Sequence, residues 1–199
     1  MAKTWLITGS GNGLGRDIAE AALAAGDNVV AGARRTEELA PPVAQYGERV
    51  KPVTLEVRDE AAAKSAVRLA VESFGRLDVL VNNAGYGQIA PFEQMSAEDF
   101  QAVMDTCFYG VVYTTRAAIP VMRRQKSGYI FQVSSVGGPR SRRQYAVPRC
   151  EVGRRRLQRR SRDGSRAFRR QDMQSGAGRH QDQLGTARKT RGTGASAGV

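Results

Sequence analysis

The sequence predicts an α/β fold, a doubly wound parallel sheet that is incomplete at five strands and is followed by a basic, disordered tail. Three observations predict it. Short apolar runs alternate with stretches of helical periodicity over residues 1–138, glycines punctuate the junctions, and both patterns stop after Gly138. A helix between each pair of strands supplies the crossover that parallel neighbours require.

The elements follow in order. TWLITG is a short apolar strand ending in a glycine loop, and GLGRDIAEAALAAG carries apolar residues at helical spacing up to a terminating Gly26. DNVVAGARR is the second strand, and residues 36–46 read as helical until the Pro41-Pro42 pair. KPVTLEV is the third strand, with an Ala-rich helix over 59–74 after it; LDVLVNNAG is the fourth. Ser96, with Asp99 three residues on, caps a long helix that runs to Gln125, and GYIFQVSS is the fifth strand.

At 199 residues and 41% hydrophobic content the chain is long enough for one domain with a real core. Its charge is divided: residues 1–138 hold 14 Lys and Arg against 15 Asp and Glu, and residues 139–199 hold 17 against 4, so the whole net charge of +12 lies in the tail. That tail has few large apolar residues and is expected to be disordered on its own. Cys107 and Cys150 form no disulfide or metal pattern, so a reducing cytoplasm is the default and no metal is expected. The start MAKTWLITGSG reads as neither a secretory signal nor a membrane span.

TGSGNGLG, Thr8 to Gly15, joins the first strand to the first helix. Glycines there let the backbone approach a pyrophosphate, and the helix start offers unpaired N–H groups and a positive dipole end. The spacing T-G-x-x-x-G-x-G, the NNAG of Asn82 to Gly85 and the V-S-S-x-G-G after the fifth strand together resemble the short-chain dehydrogenase/reductase family. The resemblance covers residues 1–138 and implies a Rossmann sheet of order 3-2-1-4-5-6-7. It also implies that Gly9, Ser10, Asn12, Gly13, Leu14 and Gly15 line the diphosphate loop. Asn83 and Gly85 would sit beside the adenosine ribose. Glu56 and Val57 fall where the family usually has Asp-Val next to adenine, which leaves a Val57 backbone contact available and the longer Glu56 carboxylate without an assured one.

The end of the second strand speaks to the choice of cofactor. An acid there accepts from the ribose hydroxyls of NAD and repels a 2′-phosphate. This chain has Ala33-Arg34-Arg35, with no acid and two guanidiniums suited to a phosphate, so NADP is favoured over NAD. Gln88, Ile89 and Phe92, after NNAG, suggest an apolar pocket wall.

Ser135 corresponds to the family's catalytic serine, with Ser134 the near miss, and Cys107 falls where the family has a helix asparagine. Family catalysis also needs Y-x-x-x-K, in which a lysine one turn along lowers the tyrosine's pKa. The chain offers Tyr145 and Arg149, with Pro148 between them. It is a poor match, because a proline inside a helix costs about 3 kcal/mol.

The codons explain the gap. Read from the second base of each codon, Val147 to Val152 permits Y-R-A-A-K-W, and the same register over Met173 to Leu184 permits S-L-E-P-G-G-I-R-T-N after an obligatory cysteine. The second string contains the family's P-G-x-x-x-T loop. In a GC-rich gene this shift also turns Gly, Ala, Val and Asp codons into arginine codons. The arginine-rich segment is therefore read as out-of-frame translation that begins between Gly138 and Gln144.

These readings give residues 1–138 as an NADP-binding domain and 139–199 as a frameshifted tail. The parent is an oxidoreductase acting on a small carbonyl or alcohol, and intact family members are expected to be homo-oligomers. The competing reading is a dinucleotide-fold binding module whose basic tail binds nucleic acid. Against it, the tail has little aromatic interleaving and no groove-reading unit, so no specific nucleic-acid partner is expected, and no membrane partner either.

Overall fold

A computed structural model of the chain describes residues 1–88 and 90–134. The expected tail, Ser135, Tyr145, Arg149 and Ile89 lie outside the described residues. Five strands, β1 (Thr4–Thr8), β2 (Asn28–Ala33), β3 (Val50–Thr54), β4 (Val79–Asn82) and β5 (Tyr129–Gln132), form one parallel sheet of order β3-β2-β1-β4-β5. The helices are α1 (Gly13–Ala24), α2 (Ala40–Tyr46), α3 (Glu60–Phe74), α4 (Ala97–Met104) and α5 (Gly110–Gln125). None among the described residues is long and apolar enough to cross a membrane.

Strand side chains alternate between two cores. Leu6, registered with Val30 and Leu80, faces a cluster completed by Ala66, Val67 and Ala70 of α3 and Ala118 and Met122 of α5. Ile7, Val29, Ala31, Val79 and Val81 point the other way, onto Ala19, Ala22 and Leu23 of α1 and onto Leu39. A sheet covered on both faces needs apolar residues at successive positions, which is why VVA and VLV read as unbroken runs. Each fully buried Leu or Val contributes about 1.5–3 kcal/mol of transfer free energy.

Two helical expectations are corrected. Pro41 and Pro42 do not end the segment at 36–46; a 3-10 turn over Thr36–Leu39 precedes them, and they open α2 from its first positions. Proline lacks an N–H that the first turn does not use, so it begins a helix at little cost. The long helix after Ser96 is interrupted by a π-helical segment, Asp105–Tyr109, between α4 and α5. Its start is as expected, with the Ser96 hydroxyl accepting from the Asp99 amide at 3.0 Å.

Asp78 is a buried carboxylate that joins strands. It accepts from the Thr4 amide at 2.9 Å and from Arg76 Nε at 2.8 Å, while its own amide donates to Thr4 at 2.8 Å. Paired in this way it ties β1 to β4 at their amino ends, without the penalty of an uncompensated charge.

Candidate cofactor site

The carboxyl ends of β1, β2 and β4 converge on the loop between β1 and α1, where open α/β sheets bind ligands. Thr8 sets the loop's position. Its buried hydroxyl accepts from the Asn83 amide at 3.0 Å and from the Ala84 amide at 2.9 Å. Asn83 returns the contact, its side-chain amide donating to the carbonyls of Thr8 at 3.0 Å and Gly9 at 3.1 Å. The glycine loop is therefore fastened to the NNAG strand end from both sides.

Two glycines make that approach possible. Gly9 has φ +70°, and a Cβ there would stand 3.0 Å from Ala84 Cα. A Cβ on Gly15 would collide with the Gly9 carbonyl and the Asn83 side chain. Ser10 is equally enclosed: its hydroxyl donates to Ile7 O at 2.8 Å and its amide to Gly32 O at 2.8 Å. Ser10 and Asn83 thus shape the loop with their side chains.

Asn12 occupies the N-cap of α1 in an extended conformation with no side-chain capping bond, and no acidic residue lies in the first turn. The helix itself therefore supplies neither a capping side chain nor a carboxylate to its first-turn amides and positive dipole end, an arrangement that suits a phosphate. This donor set fits a dinucleotide pyrophosphate. Gly13 and Leu14 are exposed at this mouth.

Ala33, the last residue of β2, is buried, and Arg34 and Arg35 beyond it are exposed. The Leu55 amide donates to Ala33 O at 2.8 Å, which carries Glu56 and Val57 to the same edge. Partial burial pushes the Glu56 carboxyl up, but hydrogen bonds from Arg58 and the charges of Arg58 and Arg34 outweigh it and hold the group below its ordinary value. The Glu56 carboxylate meets Arg58 Nη2 at 3.1 Å. Val57 is buried against Gly110, where a Cβ would meet its side chain at 2.7 Å.

Gly85, the last residue of NNAG, is exposed; past it, Gln88 donates to Asp99 Oδ2 at 3.3 Å, and Phe92 stacks edge-to-face on Phe100 at 5.5 Å. Cys107 is buried in the π-helical segment, its thiol donating to Tyr86 O at 3.2 Å. Asn82 faces the core, donating to Thr115 Oγ1 at 3.1 Å and accepting from Thr114 Oγ1 at 2.6 Å. Sequence reasoning missed Thr8 and also Glu38, whose carboxylate lies against Gly11 of the loop and accepts from Arg35 Nε at 2.8 Å. For Thr8 a signal existed, a hydroxyl residue closing an otherwise apolar strand; Glu38, one acid in a charged run, had none.

A model of the family described as short chain dehydrogenase matches residues 3–147. Oxidoreductase BOA17 of Botryotinia fuckeliana is 51% identical over 139 residues, which is 69% of this chain and 51% of that protein. NADP-dependent 3-hydroxy acid dehydrogenase YdfG of Salmonella typhi is 35% identical over 134 residues, covering 67% of this chain and 54% of its own. The crystal structure of a short-chain dehydrogenase from Streptomyces avermitilis superposes with a TM-score of 0.79 at 38% identity, over 82% of this chain and 61% of that one. The chain spans about half the length of the curated relatives it matches. A sheet of this order, a loop held by the Asn-Ala of NNAG and a family match over residues 3–147 lead to one conclusion: the chain belongs to the short-chain dehydrogenase family of oxidoreductases.

Proposed function

We propose that the chain derives from an NADP-preferring oxidoreductase that transfers hydride between NADP(H) and a small carbonyl or secondary alcohol, and that it retains the cofactor-binding half without the proton-donating half. The observation that carries the cofactor choice is the end of β2, where buried Ala33 is followed directly by exposed Arg34 and Arg35 in the place of a strand-end acid. The similarity to YdfG, whose name specifies NADP, supports the same choice.

In this reading the loop from Gly9 to Gly15 holds the pyrophosphate through the amides at its mouth, with Asn12, Gly13 and Leu14 there, while the Ser10 amide stays on Gly32 O. Arg34 takes the 2′-phosphate as a planar, permanently charged donor, followed in sequence by Arg35, a second guanidinium at the same strand end. The Val57 backbone and Asn83 to Gly85 border the adenosine. The bound nicotinamide supplies or accepts the hydride. Ser135 hydrogen-bonds the substrate oxygen, and the missing Y-x-x-x-K is the group that would move the proton. The parent enzyme is a cytoplasmic homo-oligomer acting on a small molecule.

The frameshift account is supported by the matched lengths, since curated relatives align over 134 to 139 of the 199 residues. As written, the chain should show no NADPH-dependent carbonyl reduction above background, and Tyr145→Phe should change nothing. Deleting one base, or inserting two, near codon 139 should restore reduction of a small carbonyl, with Ser135→Ala then severely impaired. In the restored enzyme, Ala33→Asp with Arg34→Leu should move preference from NADPH toward NADH. Turnover by the unrepaired chain that Tyr145→Phe abolishes, or a restored enzyme that already prefers NADH, overturns the respective half of the proposal.

A further inference from the structure

Between the end of β2 and the glycine loop lies a cluster that cofactor binding by Arg34 does not use. Arg35 Nε donates to Glu38 Oε1 at 2.8 Å, and its Nη2 donates to the same oxygen. Arg16, on α1, donates to the Glu38 main-chain carbonyl. The Glu38 carboxylate lies directly on the glycine loop: a Cβ on Gly11 would collide with its Oε2 and stand 3.2 Å from its Cδ. The Glu38 side chain is 26% exposed and that of Arg35 is 77% exposed, so the acid is the fixed partner and the arginine the one reaching in from solvent.

We propose that Glu38 is a specificity-determining residue for the cofactor's 2′-position: its carboxylate draws Arg35 away from the phosphate subsite and places a negative charge beside the loop, leaving Arg34 as the 2′-phosphate's principal guanidinium. The inference rests on the NADP reading. It adds that preference for the phosphorylated cofactor is held below what two arginines at this strand end could deliver. A 2′-phosphate carries up to two negative charges, whereas a ribose hydroxyl carries none. An acid within a Debye length, about 10 Å at 0.1 M salt, therefore penalises the phosphorylated cofactor and not the other, by about fivefold to tenfold at low ionic strength.

The test uses the full 199-residue chain and calorimetric titration with two probes, adenosine 2′,5′-bisphosphate and 5′-AMP, at low salt. Glu38→Gln should tighten the bisphosphate about fivefold to tenfold and leave AMP within twofold, with the gain shrinking at high salt as screening demands. Arg35→Ala, which leaves the Glu38 carboxylate without its guanidinium, should weaken the bisphosphate by less than Arg34→Ala does and leave AMP within twofold, and it should abolish the gain when combined with Glu38→Gln. Should Glu38→Gln fail to fold, the comparison of Arg35→Ala with Arg34→Ala still decides. Equal weakening of the bisphosphate by both would show Arg35 already on the phosphate and overturn the proposal. So would a neutral or weakening Glu38→Gln in a chain that prefers the bisphosphate. Equal wild-type affinity for the two probes, unchanged by Arg34→Ala, overturns the NADP reading itself and this proposal with it.

Discussion

Replacing Thr8 with valine removes one oxygen and almost no volume, so its effect isolates the polar staple between β1 and β4. Two backbone amides lose their shared acceptor. That of Asn83 has a second one, Val81 O at 3.1 Å, whereas that of Ala84 has only the Thr8 hydroxyl among the described residues. One orphaned amide at a part-buried site costs about 1–3 kcal/mol, and the hydroxyl's own bond to Val81 O, at 3.5 Å, adds little. Thr8→Val should therefore destabilise by about 2 kcal/mol, on the order of a thirtyfold change in the unfolding equilibrium constant. Thr8→Ser keeps the hydroxyl and gives up one methyl, a loss of about 1 kcal/mol or less. Urea unfolding followed by the fluorescence of Trp5, the single tryptophan, measures both, and an unchanged slope with a lower midpoint identifies a stability effect. Trp5 is a suitable reporter because it lies in β1, its indole N–H donating to Asp27 at 2.8 Å. A valine variant as stable as the serine variant would refute the staple.

Gly15→Ala drives a methyl group into the Gly9 carbonyl and the Asn83 side chain, so the loop must move off β4. A loss of about 2 kcal/mol or more is expected in the same unfolding assay, and binding of 5′-AMP should weaken in calorimetry even where the variant remains folded. Glu56→Gln tests the acid range. A carboxyl held below its ordinary value of 4.5 contributes stability that is present above that pH and is lost as the pH falls through the lowered native value. The melting temperature of the wild type should exceed that of the variant at pH 7, and the difference should close toward pH 3; a difference that widens on acidification contradicts the pairing with Arg58.

Much of the fold was legible because burial writes itself locally. VVA and VLV are apolar at successive positions since both faces of β2 and β4 are covered, and Ser96 and Asp99 declare a helix start within four residues. Pro41-Pro42 misled because proline stops a helix and starts one with the same chemistry, and only the preceding 3-10 turn decides between them. The π-helical segment at Asp105–Tyr109 has no compositional mark at all. In the site, the glycine loop and NNAG were visible as motifs, while the reasons for their proximity were not. Thr8 and Asn83 are 75 positions apart, and Thr4 and Asp78 are 74. No local pattern encodes such a pair. Glu38 was hidden in a different way, since an acid among charged neighbours reads as a solvated surface until its carboxylate is seen against Gly11.

The Thr8–Asn83 connection also dates the site in the life of the molecule. A nascent chain that has released β1, α1 and β2 from the ribosome already carries the whole TGSGNGLG string, but the residues that hold it in shape are still to be synthesised. Closing so long a loop is an entropic cost that the growing chain meets only when β4 arrives and docks beside β1. Under the proposed cofactor reading, nucleotide in the surrounding solution therefore meets the finished loop only after Ala84 has emerged.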